Sequence, residues 1–187
     1  MSKGVTDRSQ DKGQVEFFST WVEEQTKHPL PVLRFDMSGL NAKNSCTLEE
    51  AIREAISRTA REHNVNIYSK TLNGMFIDLL VEIYKTQGQA VVLINEYDKP
   101  ILDNLTDLAR ANEMREVLRS FYTTLKSCDK YLRFVMLTGI SKFSKMGVFS
   151  AMNNLLDISM MTKYGDMVGY TQEELEDKFS VWIDNTS

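Results

Sequence analysis

Two continuous apolar runs, each followed at once by polar residues, constrain the fold of this chain more than any other feature. Residues 90–94 read Ala-Val-Val-Leu-Ile and stop at Asn95-Glu96-Tyr97-Asp98, and residues 132–137 stop at Thr138-Gly139-Ile140-Ser141-Lys142. Neither run alternates apolar with polar residues, which is typical of a β-strand that is covered on both faces. The two runs therefore predict doubly buried strands of a parallel sheet.

Helical patterns separate these strands from each other and from an earlier run. Residues 32–35 form that earlier run and follow two prolines, which suits the entry of a strand. Apolar residues recur at three- and four-residue steps across residues 72–84 and stand at helical spacing across residues 117–125, which predicts two amphipathic helices. Strands that alternate with helices predict an α/β fold, in which right-handed crossovers place flanking helices on a parallel sheet.

Two Thr-x-x-Glu patterns predict the starts of further helices. Thr47 and Thr171 each stand three residues before a glutamate. In a capping box of this kind the hydroxyl and the carboxylate each accept a hydrogen bond from a backbone N–H that would otherwise lack a partner. The patterns predict one helix from Thr47 to about Glu62 and a last helix from Thr171 toward Trp182.

Length and composition indicate one ordinary globular domain. The chain has 187 residues, a net charge of −4 and 42% hydrophobic residues, and a mildly acidic chain disfavours a dedicated nucleic-acid binder. No apolar run approaches the ~18–20 residues of a membrane span, no signal segment is recognisable, and Cys46 and Cys128 form no metal motif. We therefore expect a cytoplasmic protein. Residues 1–14 are polar and predict a loose arm or added lead-in, so the fold is expected to occupy residues 15–187.

The strand end at Asn95 and Glu96 has the general form of a Walker B motif. In that motif the first carboxylate serves Mg²⁺ and the next one polarises the attacking water. Glu96 matches the second position, whereas Asn95 stands at the metal-side position and carries no charge. Because the carboxyl ends of parallel strands meet at one edge, Thr138 is expected to lie beside them. On spacing alone, an ordinary polar strand end explains this pattern more often than a catalytic site does.

Three segments in the same order resemble the AAA-ATPase-like family of P-loop NTPases, namely residues 93–101, 137–145 and 149–155. The resemblance covers the chain from about Trp21 to Phe179. In this family the first segment reads Ile-Asp-Glu-Tyr-Asp-Lys-Pro, and members are often linked to a C-terminal restriction-type nuclease domain. The resemblance implies a P-loop NTPase-like fold that binds ATP and Mg²⁺, with Glu96 as a catalytic carboxylate.

The resemblance also implies roles for other polar residues at the same edge. Thr138 and Ser141 match a sensor-like strand end, whose side chains would read the γ-phosphate or position water. The positions implied for nucleotide binding are Asn95, Asp98, Lys142 and Asn153, of which Asn95 is also the metal position. Plainer explanations stay open, because Lys142 suits a solvated loop, and Asp98 and Asn153 suit turns.

Two departures from the family pattern bear on activity. A phosphate-binding loop needs Gly-x-x-x-x-Gly-Lys-Ser/Thr, and none of the nine glycines is followed by lysine. The family's first strand and Walker A loop would precede Trp21, so we expect a domain truncated on its N-terminal side. The second departure is Asn95, which removes a charge from the metal side.

These departures leave two hypotheses about function. One is an ATPase-like module that is inactive alone and needs an upstream segment or another chain to supply the missing loop. The other is a non-catalytic protein-interaction module of the same descent, whose uncovered sheet edge associates with a protein partner or with a second copy. Neither involves a membrane, and nucleic acid would be contacted only through a linked nuclease domain.

Overall fold

The computed structural model describes residues 30–40, 42–140, 155–164 and 171–183. These residues fall into two compact units, one that runs through Asn153 and one that begins at Asn154. The first unit contains the sheet and has the α/β architecture that the alternating pattern predicts.

Helices separate the strands of the first unit, and one α-helix within the described residues belongs to the second. In chain order they are β1 (Val32–Asp36), α1 (Ser45–Glu62), α2 (Leu72–Gln87), β2 (Ala90–Asn95), α3 (Lys99–Leu102), α4 (Leu108–Ser127), β3 (Leu132–Leu137) and, in the second unit, α5 (Gln172–Ile183). Among the described helices, none combines the length and the apolar character that a membrane span requires.

The sheet has the strand order β1-β2-β3, and both neighbouring pairs are parallel. The sheet packs against α2 and α4 through three phenylalanine rings, one on β1 and one on each helix. The ring centroid of Phe35 on β1 lies 5.7 Å from that of Phe76 and 6.1 Å from that of Phe121, and the latter two are 4.9 Å apart. All three side chains are buried. Aromatic pairs at such distances stabilise a core beyond their area of burial, by about 0.5–1.5 kcal/mol each.

The two continuous apolar runs have different environments. Residues 90–94 are all buried, which confirms the expectation for β2. The same expectation is wrong for β3, since none of its six residues is buried and Phe134 is 41% exposed. The reason is position in the sheet: β2 lies between two strands and contacts α2, whereas among the described elements β3 makes substantial contact only with β2 and with the short 3₁₀ turn Asp129–Tyr131 before it.

The two predicted capping boxes also differ. Thr47 is not the N-cap of α1; Asn44 caps the helix, its Oδ1 accepting from the Thr47 N–H at 2.9 Å while Thr47 Oγ1 accepts from the Asn44 N–H at 3.1 Å. The helix therefore begins earlier than predicted, because asparagine is a stronger N-cap than threonine. At α5 the prediction is confirmed, since Thr171 Oγ1 accepts from the Glu174 N–H at 3.2 Å and Glu174 Oε2 accepts from the Thr171 N–H at 2.9 Å.

Candidate functional site

The polar ends of β2 and β3 lie side by side. Thr138 Oγ1 donates a hydrogen bond to Asn95 Oδ1 at 2.7 Å, and the Thr138 N–H donates to the Ile94 carbonyl at 2.9 Å. This juxtaposition follows from the parallel pairing, because both strands present their carboxyl ends at the same edge of the sheet. The predicted meeting of Asn95 with Thr138 is therefore confirmed.

The end of β1 joins the same edge. Asn95 Nδ2 donates to Asp36 Oδ1 at 3.2 Å, so the amide side chain bridges its two neighbouring strands. Asp36 is exposed and also accepts from the N–H and the hydroxyl of Ser38, at 3.0 and 2.7 Å. Sequence reasoning missed Asp36 because it reads as the first residue of a loop; the available signal was a carboxylate directly after an apolar strand.

Glu96 has an unusual backbone conformation at this edge. Its φ is +50°, in the left-handed region that non-glycine residues rarely adopt, at a cost of about 1–3 kcal/mol. The Glu96 N–H points at Thr138 Oγ1, 3.4 Å away, and the Glu96 carbonyl accepts from the Lys99 N–H at 3.0 Å. These contacts and the turn into α3 hold the residue in place. Glu96 is half-buried.

Asp98 lies beneath this edge rather than on it. Its side chain is fully buried, and its Oδ1 accepts from the Ile140 N–H at 3.4 Å. The neighbouring Tyr97 N–H donates to the Thr138 carbonyl at 2.9 Å, and the buried Tyr122 hydroxyl donates to the Tyr97 carbonyl at 3.0 Å. Burial, with the Asp98 charge nearby, raises the pKa of Tyr122 well above its usual value. Asp98 therefore ties the loop after β2 to the loop after β3.

The described residues offer a weak donor set for a protein-held Mg²⁺. Asn95 at the metal-side position carries no charge, its Oδ1 already accepts one hydrogen bond from Thr138, and its Nδ2 donates to Asp36. Across the described ranges, no group of three or more His, Cys, Asp or Glu side chains is placed to hold a metal ion. The predicted site residues Ser141, Lys142 and Asn153 lie outside the described residues, so their roles stay predictions.

An open polar cleft of about 700 Å³ lies beside this edge, next to the end of β1. It is lined by the loop that leads into α1, by the turn after α3 and by the start of α4, including Lys43, Asp103 and Arg110 respectively. Asn95, Glu96 and Thr138 do not line it. The strand-end residues therefore form an open ledge rather than the wall of this cleft.

Comparison with known proteins supports a family relationship. The sequence profile of a family described as predicted AAA-ATPase matches residues 5–149, a range that includes all three strands and begins inside the segment predicted to be an arm. The chain is also 38% identical over 151 residues to an uncharacterized protein from the vnfD 5′ region of Azotobacter chroococcum mcd 1. That alignment covers 80% of this chain and 29% of the length of that protein. No solved structure matches.

Proposed function

Since the chain belongs to the predicted AAA-ATPase family, we propose that the ledge at the ends of β2 and β3 is one half of a nucleoside-triphosphate site, the half that faces the γ-phosphate. Glu96 is the carboxylate that polarises the attacking water, and Thr138 and Ser141 are the sensor residues. The observation that carries the proposal is the 2.7 Å hydrogen bond between Thr138 and Asn95, because it brings the two strand ends together.

The remaining candidate residues have subordinate roles in this proposal. Lys142 and Asn153, which lie outside the described residues, are assigned the role of phosphate contacts. Asp98 supports the edge from below, since its Oδ1 accepts from the Ile140 N–H. Thr138 already donates its hydroxyl proton to Asn95, so a phosphate oxygen would have to displace that hydrogen bond to be read by this residue.

The half-site does not hydrolyse ATP by itself. Its sequence has no glycine-lysine loop to hold the phosphates, and Asn95 supplies no charge at the metal side. At ~4 Å and an effective dielectric of ~20, each missing unit charge forfeits about 4 kcal/mol of attraction per unit of partner charge, before desolvation. In this proposal the phosphate-binding loop is supplied by other polypeptide, either an upstream segment or another chain.

Calorimetry and a complementation assay test this function. We expect no saturable ATP binding by the chain alone in excess Mg²⁺, and micromolar affinity would contradict that. A segment that carries a Walker A loop, taken from a longer family member and added in trans or fused upstream, should confer phosphate release. Glu96→Gln should then lower that release at least about 100-fold, as expected for loss of a general base, while Glu50→Gln on the exposed face of α1 should not. Equal turnover of these two variants would refute the role of Glu96.

A second function, protein association, is favoured by the open side of β3. Phe134 is 41% exposed in a strand whose only charged residue is Arg133, and no described strand pairs with its outer edge. Unpaired backbone groups beside apolar side chains are a template for strand addition. We propose that a parallel β-strand pairs with the outer edge of β3, and that this strand comes from the polypeptide that supplies the nucleotide loop.

Association experiments distinguish this occupant from a second copy of the chain. Sedimentation velocity should show the chain binding the added Walker A segment, and Phe134→Lys should weaken that binding by at least about tenfold, because it places a charge in the new pair. Leu108→Lys replaces an apolar residue of α4 that is still more exposed, at 72%, and is the control. A concentration-dependent dimer that Phe134→Lys abolishes would assign the edge to self-association instead.

A further inference from the structure

The hydrogen bonds at the three strand ends run in one direction, and Asp36 sets that direction. A carboxylate only accepts hydrogen bonds, so the amide nitrogen of Asn95 must be the atom that faces Asp36. The amide oxygen then faces Thr138 and accepts its hydroxyl proton. The Thr138 oxygen is left as the acceptor for the Glu96 N–H. The carboxylate on β1 thus determines which group donates and which accepts in each of the three hydrogen bonds, as far as the N–H of the strained residue Glu96.

Asp36 is itself held in position by its surroundings. Its Oδ1 accepts two hydrogen bonds from Ser38, and the Met37 N–H donates to the Asn95 carbonyl at 3.0 Å. Parallel pairing places Asp36 directly opposite Asn95 in the register of β1 and β2. The register of the two strands therefore holds these side chains close together.

From this arrangement we propose that Asp36 is a positioning residue. Its carboxylate requires an asparagine at position 95, where the family motif has an aspartate. A carboxylate at position 95 would have no proton to donate across the 3.2 Å that separates it from Asp36, and two negative charges would face each other there. The negative charge that the motif would place at position 95 of β2 is carried instead by Asp36 at the end of β1. Through the neutral Asn95 bridge, Asp36 orients Thr138 and the Glu96 backbone. This role does not depend on nucleotide binding.

A double-mutant cycle in the full chain tests the pairing. Asn95→Asp should raise the equilibrium constant for unfolding in urea by about tenfold, a moderate change because Asp36 is exposed and solvent screens the repulsion. Asp36→Asn combined with Asn95→Asp should return the constant to within about threefold of the native value, because an amide at position 36 can donate to the new carboxylate. Asp129→Asn, at the opposite end of β3, is the matched control and should have no effect.

A spectroscopic readout separates positioning from stability alone. In Asp36→Asn, the ¹H–¹⁵N signals of the Asn95 side-chain amide and the Glu96 backbone amide should both move, while they stay unchanged in Asp129→Asn. The proposal is overturned if Asn95→Asp is as stable as the native chain, or if the double variant is no more stable than Asn95→Asp. It is also overturned if both amide signals stay in place in Asp36→Asn. If Asn95→Asp does not fold, recovery of folding in the double variant decides the matter.

Discussion

Replacing Gly139 by alanine should destabilise the fold at the ledge, because the backbone of Gly139 lies against two buried side chains. A Cβ atom at this position would lie 2.5 Å from Tyr97 Cε1 and 2.7 Å from Asp98 Oδ1. Tyr97 is 4% exposed and Asp98 is fully buried, so neither side chain can swing into solvent to make room. Either the loop after β3 or the turn after β2 must therefore shift.

The size of the effect follows from two contributions. Forcing a methyl group into a packed region costs about 1–3 kcal/mol. A shifted loop also withdraws the Ile140 N–H from Asp98 Oδ1, and depriving a buried carboxylate of a hydrogen bond costs about 1–3 kcal/mol. Because partial relaxation relieves some of each contribution, we expect Gly139→Ala to lower the free energy of unfolding by about 2–4 kcal/mol.

Equilibrium unfolding in urea measures this loss, and the chain offers a matched control. A Cβ atom at Gly39 meets nothing within 4 Å, so Gly39→Ala should change the free energy of unfolding by no more than about 0.5 kcal/mol, with a slight gain possible from the stiffer unfolded chain. If the two alanine variants had equal stability, the close packing of Gly139 over Tyr97 and Asp98 would be refuted, and with it the account of how the two loops are joined.

Two further predictions concern buried polar groups of the same unit. Tyr122→Phe should lower the free energy of unfolding by about 1–2 kcal/mol in urea titrations, because it leaves the Tyr97 carbonyl without the hydroxyl that donates to it at 3.0 Å; an unchanged unfolding midpoint would contradict this. Cys128 should react with a thiol reagent at pH 8 at least about tenfold more slowly than the exposed Cys46, because burial raises the pKa of the Cys128 thiol and restricts access to it. Mass spectrometry of the partly labelled native chain tests this order, and equal labelling of both cysteines would contradict it.

Much of the fold could be predicted because its signals are local. The continuous apolar run of β2 predicted a strand covered on both faces, and the structure buries every residue from 90 to 94. The run of β3 carries the same signal, yet its residues are not buried. An apolar run indicates what environment a strand is suited to, whereas the helices and strands that pack against it determine what environment it has. The apolar but exposed residues of β3 therefore favour an added strand at this edge.

The boundary of α1 shows a second limit of local reasoning. The Thr47 pattern located the helix but misplaced its N-cap. Asn44, three residues earlier, is the stronger capping residue, and the reciprocal hydrogen bonds place Thr47 at the N3 position of the box. Such errors shift a boundary by a few residues without changing the fold class.

The amino-acid sequence alone determined the α/β class, the parallel strands and the motif at Asn95-Glu96, because periodicity and strand-end polarity are written in consecutive residues. Only the tertiary structure decided that Asp36 faces Asn95. These residues are 59 positions apart, and their meeting depends on the register between β1 and β2. Register is set by the packing of whole strands and helices against one another, so the partner of a strand-end side chain emerges only when the sheet is assembled.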